Sequence, residues 1–260
     1  IQNQQIVSGD NTGPVSAQLV LKDPTVEVAV LETARGGIIR AGLGFDHCDI
    51  GVVTNVAADH LGLKDVNTLE DLARVKSVVP RAVSKRGFAV LNAEDENVYK
   101  MKELVDGHLV YFSMDENHKN IKRQMERGRV SCVYENGWVT ILKGKWKVRI
   151  ERAVNIPLTY GGRAEFMIQN VLAATLACFV HGVSLEDIRM GLSTFNSGTA
   201  QTPGRLNFVE IGDATVLMDY AHNPAGMAGL AKFITKLPNK YRTCVVNGTG
   251  DRRDEDIREF

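Results

Sequence analysis

Short runs of β-branched and other apolar residues alternate along this chain with segments of helical period, which confines it to α/β folds built on a mostly parallel sheet flanked by helices. Residues 26–31 (VEVAVL) and 50–54 (IGVVT) are nearly continuous apolar runs, as strands buried on both faces require. Residues 88–91 and 109–112 read as two more strands. Thr68 opens a helix: Asp71 stands three residues on, in the capping-box position, and Leu69, Leu72, Ala73 and Val75 supply the apolar face. Pro80 should bend or end that helix. Between residues 130 and 150 the pattern alternates around Asn136-Gly137, a strong short hairpin signal, and predicts a small antiparallel insertion. Residues 164–179 form an apolar helix stopped near Gly182, and Ser184 with Asp187 starts another that ends near Phe195.

Residues 196–204 (NSGTAQTPG) concentrate turn formers and divide the chain into a larger unit, 1–202, and a smaller one, 203–260. The smaller unit reads as strand, turn at Gly212-Asp213, strand 215–218, helix, strand 243–246 and a new helix start, an incomplete Rossmann-like α/β domain. Both ends read as cut from a longer protein. With 31 Lys and Arg against 31 Asp and Glu, nothing in the net charge calls for a nucleic acid or a membrane. Four widely separated cysteines without a CxxC pair suit a reducing cytoplasm. The most apolar stretch, 171–180, is too short to span a bilayer.

In an open parallel sheet, ligands bind beyond the carboxyl ends of the strands. The polar residues gather there. Run 26–31 leads into Glu32, Thr33 and Arg35; run 50–54 leads into Asn55, Asp59 and His60. Run 215–218 leads into Asp219, His222 and Asn223, and run 243–246 into a glycine-containing tail ending at Arg253. Taken together these tails suggest an anionic, metal-bound ligand. Singly each has a plainer reading: Glu32 as a helix cap, Asp59-His60 as a turn, Lys76 as a solvated charge on a helix. Gly248-Thr249-Gly250 begins like a dinucleotide fingerprint but has Arg253 where its last glycine belongs. No G-x-x-x-x-G-K-[ST] loop occurs, since Gly144-Lys145 is followed by Trp146. Three function classes stay open at this point: a ligase whose phosphate loop lies upstream, a two-metal phosphate-ester hydrolase using Glu32, Asp59 and His60, and a non-catalytic scaffold.

Six motifs in order narrow the choice: SGDNTGP (8–14), LETARGGIIRAGLGFD (31–46), VVTNVAADHLG (52–62), TPGRLNF (202–208), MDYAHNPAG (218–226) and GTGDRRDEDI (248–257). Together they resemble the Mur ligase family, and LETARGG, DYAHNP and GDRRDEDI point to the branch that builds cyanophycin. The resemblance implies a central ATPase domain without its phosphate loop, followed by a truncated C-terminal domain. It implies ATP and Mg2+, activation of a carboxylate as an acyl phosphate, and amide formation by an incoming amine. Glu32, His60 and Lys76 would hold the metal and carry catalysis, with Lys76 carbamylated and Asp59 orienting His60. Lys76 would need a lowered pKa to react with carbon dioxide. By the same resemblance Asn170 contacts adenine, Arg205 and Asp219 reach the phosphates and ribose, and His222, Asn223 and Arg253 line that face. Thr33, Arg35, Thr54 and Asn55 fall on the substrate side. The substrates implied are L-arginine and the β-carboxyl of aspartate in a cyanophycin-like polymer, handled by a cytoplasmic homo-oligomer.

Overall fold

The computed structural model describes all residues except 2–3, 10, 60, 63, 239, 248–257 and 259–260. Two short helices, α1 (Pro14–Leu21) and α2 (Arg35–Ala41), precede strand β1 (Cys48–Val53). Then come α3 (Leu69–Lys76), α4 (Val78–Arg81), β2 (Val83–Asn92), α5 (Glu96–Lys100), β3 (His108–Ser113) and α6 (Lys119–Glu126). Strands β4 (Val130–Glu135), β5 (Trp138–Lys143) and β6 (Trp146–Arg152) follow, then helices α7 (Glu165–His181) and α8 (Leu185–Thr194). The chain closes with a hairpin, β7 (Asn207–Ile211) and β8 (Ala214–Met218), and helix α9 (Pro224–Thr235).

The first six strands form one sheet in sequential order. β1 to β4 are parallel, and β5 and β6 are antiparallel to their neighbours. Parallel neighbours need crossovers, and right-handed crossovers advancing in one direction leave their helices on one face. Accordingly α3, α5 and α6 pack on one side, around Leu72, Leu91, Val98, Tyr111, Ile121 and Val133. The other side is covered by α7, whose Ile168, Leu172 and Leu176 are fully buried against Val90, Phe112, Cys132 and Ile141. Each such leucine contributes roughly 1.5–3 kcal/mol by leaving water. The antiparallel segment expected between residues 130 and 150 is present as β4, β5 and β6, and it joins the main sheet as its margin. Asn136 (φ 49°) and Gly137 (φ 83°) make the left-handed two-residue turn that this dipeptide favours.

Local signals hold elsewhere. Thr68 and Asp71 form the reciprocal capping box on α3. That helix breaks at Ser77, six residues past Asp71 and three before Pro80, whose ring would collide with the Lys76 carbonyl. Gly182 (φ 97°) terminates α7, and Ser184 accepts from the Asp187 amide to open α8. Two expected strands are absent. Residues 26–31 and 243–246 carry no ladder, and Val30 and Val245 stand 94% and 95% exposed. A β-branched run becomes a strand only against a neighbour offering free N–H and C=O groups. Among the described residues no strand lies alongside either run.

The β7–β8 hairpin and α9 join the larger layer through a small apolar junction. Leu206 and Phe233 are buried with Ala164, and Tyr160, Phe166 and Phe208 pack around them. The Tyr160 hydroxyl donates to the Leu206 carbonyl. On the rim, Glu165 at the start of α7 receives Lys232 (2.6 Å) and Lys236 (2.7 Å) from α9.

Candidate active site

The carboxyl end of β1 is tied down by its neighbours in the sheet. Asn92, the last residue of β2, donates through Nδ2 to the Thr54 carbonyl at 2.9 Å. Asp95, three residues on, accepts from the Val56 amide at 2.7 Å and, as N-cap of α5, from the Val98 amide at 3.0 Å. Lys76, at the end of α3, sends its ammonium to the Asn55 carbonyl at 3.0 Å. Thr54 and Asn55 therefore have their main chain engaged.

Lys76 is half-buried. Burial pushes its pKa below the ordinary lysine value, partly opposed by the nearby Asp59 and Asp95 carboxylates. Capping explains why it is placed there: the Thr68–Asp71 box fixes where α3 starts, and two turns later Lys76 faces the β1 end.

Asp59 links this corner to the C-terminal segment. Its Oδ2 lies 3.3 Å from His222 Nε2, while His222 Nδ1 lies 2.8 Å from the Tyr220 carbonyl and the ring packs on Tyr220. The Arg205 guanidinium sits 5.4 Å from the centre of the same tyrosine ring. Asp219 accepts from the Leu206 amide (3.0 Å), and Asn223 caps α9 through the Gly226 amide (2.8 Å). Asn170 is exposed on α7, with Nδ2 3.7 Å from Met167 Sδ.

Glu32, Thr33 and Arg35 belong to a second wall. The Ala34 amide donates to the Thr12 carbonyl, and a Cβ on Gly37 would stand 3.3 Å from Gly13, so the first two motifs meet in space. Beside them opens a cavity of about 560 Å3 lined by Val7, Asn11, Thr12, Ser16, Val30 and Glu32. Helix α2, which starts at Arg35, packs against α3, which ends at Lys76. His60 and Arg253 lie outside the described residues. Among the described residues no three His, Cys, Asp or Glu side chains are grouped to hold a metal.

Sequence reasoning missed Asn92, Asp95 and Glu165. The first two were findable: Asn-Ala-Glu-Asp follows run 88–91 directly, and strand ends are where polar tails count. Glu165 carries no such signal, because its partners are 67 and 71 residues away.

Set against known proteins, the fold and this corner define a class. The chain belongs to the Mur ligase family: residues 5–178 match the Mur ligase middle domain and residues 204–260 the Mur ligase glutamate ligase domain. Within it, the chain is 55% identical over 97% of its length to a cyanophycin synthetase of Crocosphaera subtropica, and 53% identical over 98% to one of a Synechocystis species. It spans 29% of the length of each of these relatives. At lower identity, 27% over 98% of the chain and 50% of the relative, it resembles the diaminopimelate-adding UDP-N-acetylmuramoyl-L-alanyl-D-glutamate ligase of Listeria monocytogenes. Among solved structures, MurF from Acinetobacter baumannii shares the fold, with a TM-score of 0.59 and 22% identity over 81% of this chain and 43% of that one. Among the described residues no helix is long and apolar enough to cross a membrane.

Proposed function

We propose that this chain carries the ligating site of an ATP-dependent acid–amino-acid ligase, which joins L-arginine through its amine to the β-carboxyl of aspartate in a cyanophycin-like polymer. The observation that carries this reading is the identity of 53–55% to proteins named cyanophycin synthetase over nearly the whole chain. Residues 1–202 would supply the central ATPase unit and 203–260 the C-terminal unit.

The chemistry at the β1 end suits the role. Carbamylation needs a neutral amine, and burial of Lys76 favours that form. Once carbamylated, Lys76 would be a third anion beside Asp59 and Asp95, an excess of negative charge that a divalent cation offsets. Carboxylate and carbamate oxygens suit Mg2+; Glu32 and the Lys76 carbamate, with the imidazole nitrogen of His60, would hold it. Bound Mg2+ and ATP supply the phosphoryl group and neutralise its charge. The chain's own residues do the positioning. Asn92 and Asp95 hold residues 54–56 still, Thr33, Arg35, Thr54 and Asn55 face the substrate, and His222 draws the C-terminal segment to Asp59. Asn170, Arg205, Asp219, Asn223 and Arg253 would complete the nucleotide side.

Arginine-dependent ADP release, measured on the complete ligase containing this chain, tests the reading. Lys76→Ala should lower it at least about a hundredfold, the scale on which a single preorganised electrostatic contact acts, and bicarbonate should not restore it. Unchanged turnover would remove Lys76 from the site; phosphate-ester cleavage without any amine would favour the hydrolase.

A further inference from the structure

Residues 202–208 (TPGRLNF) lead into β7, and one of them holds an unfavourable backbone conformation. Leu206 has φ 47°, in the left-handed region that favours glycine, although Gly204 (φ 71°) stands only two residues before it. A residue with a side chain keeps such a conformation only where its surroundings over-determine it, and such places cluster at functional sites. Here the surroundings are explicit. The Leu206 side chain is fully buried with Ala164 and Phe233. Its amide donates to Asp219 Oδ2 at 3.0 Å, and its carbonyl accepts from the Tyr160 hydroxyl. Burial, joined by the Asp219 charge, outweighs a hydrogen bond to Ser197 and raises the Tyr160 pKa above the ordinary tyrosine value, so the phenol stays a donor.

Asn207 holds the residues on the other side of this leucine. Only 2% exposed, it donates through Nδ2 to the carbonyls of Thr202 (3.0 Å) and Arg205 (3.1 Å). Its Oδ1 accepts from the Gly204 amide at 2.7 Å, so both donors and the acceptor of one buried amide are engaged by main chain. Ser197 Oγ is a second donor to the Arg205 carbonyl, at 2.9 Å, and the Arg205 amide donates to the Thr202 carbonyl at 3.1 Å. The main chain of Arg205 is therefore fixed on both sides.

The side chain that this frame carries is exposed. The Arg205 guanidinium lies 5.4 Å from the centre of the Tyr220 ring, which lies 4.9 Å from the His222 ring, whose Nε2 is 3.3 Å from Asp59 Oδ2. A short run of contacts thus leads from Arg205 to the corner at the end of β1. A segment that served only as a connection would need a turn, and glycine at position 206 would supply it without strain. That role needs neither a left-handed leucine nor a buried amide given over to three main-chain groups.

We propose that Asn207 is a positioning residue: it fixes the main chain of Arg205 so that the guanidinium meets the nucleotide phosphates in the ligation proposed above, on which reading the assignment rests. The test measures arginine-dependent ADP release by the complete ligase, with ATP and arginine varied separately. Arg205→Ala should lower kcat/KM for ATP about a hundredfold and leave the KM for arginine unchanged. Asn207→Ala should lower kcat/KM for ATP about tenfold or more, again sparing the KM for arginine. The two together should be no worse than Arg205→Ala alone, because a residue that acts through another is not additive with it. Tyr160→Phe removes a single hydroxyl, so it keeps the test open where Asn207→Ala fails to fold; it should give a smaller loss, also absent once Arg205 is alanine. Additive losses, or losses that fall equally on ATP and arginine, make the role merely structural and overturn the proposal while the ligase stands. Wild-type kcat/KM for ATP in Arg205→Ala takes the arginine off the nucleotide side and ends the positioning role with it. A wild-type ligase that releases no ADP on addition of arginine contradicts the ligation itself, and the assignment falls with that reading.

Discussion

Asp95 holds two main-chain amides with one carboxylate: Val56 beyond β1 and Val98 in the first turn of α5. Asp95→Ala orphans the first and uncaps the second, so it should cost about 1–3 kcal/mol, read as a lower urea midpoint with an unchanged slope. Glu135, buried beside Lys147 and Arg149, acts in the opposite direction from a simple buried acid. Its folded pKa is depressed, so its contribution is complete above the ordinary carboxylate range and lost as pH falls through the lowered value. Glu135→Gln should therefore lower the thermal midpoint near neutrality, and the gap to wild type should close in acid below that range. A gap independent of pH would contradict the ion-pair account. The motif order singled out Lys76 and its need for a lowered pKa, and burial does lower it; Asp95 was overlooked, though it stands one short loop beyond a strand already identified.

At the scale of elements, the features that proved readable are the ones decided within a few residues. The Thr68–Asp71 box, the break before Pro80, the Asn136-Gly137 turn and the Ser184 cap each depend on a local steric or hydrogen-bonding rule. Thr68→Ala should cost about 1 kcal/mol and loosen the end of α3, visible as faster amide exchange at Lys76 and Ser77. Runs 26–31 and 243–246 have the composition of strands, yet composition does not supply a partner, and pairing is a property of the sheet. For the same reason the expected antiparallel strands were legible but their attachment was not: β4 joins the main sheet through β3, from which it is separated in sequence by α6.

For the whole molecule, the junction around Phe233 and the Glu165 pair with Lys232 and Lys236 hold the hairpin and α9 to α7. Phe233→Ala should cost about 3–5 kcal/mol, concentrated in that unit: amide exchange should quicken across β7, β8 and α9 while β1–β4 keep their protection. Glu165 is half-exposed, so its two lysine contacts add less and matter for orientation more than for stability. Lys76 lies where the ends of β1 and α3 meet Asp59 and Asp95, and it is the amine on which the proposed site is built. Chemical trapping of isotopically labelled carbon dioxide on the complete ligase, followed by peptide mass spectrometry, addresses that most directly. The label should sit on Lys76 and not on exposed lysines such as Lys100; an unlabelled Lys76, or label spread evenly over surface lysines, would contradict it.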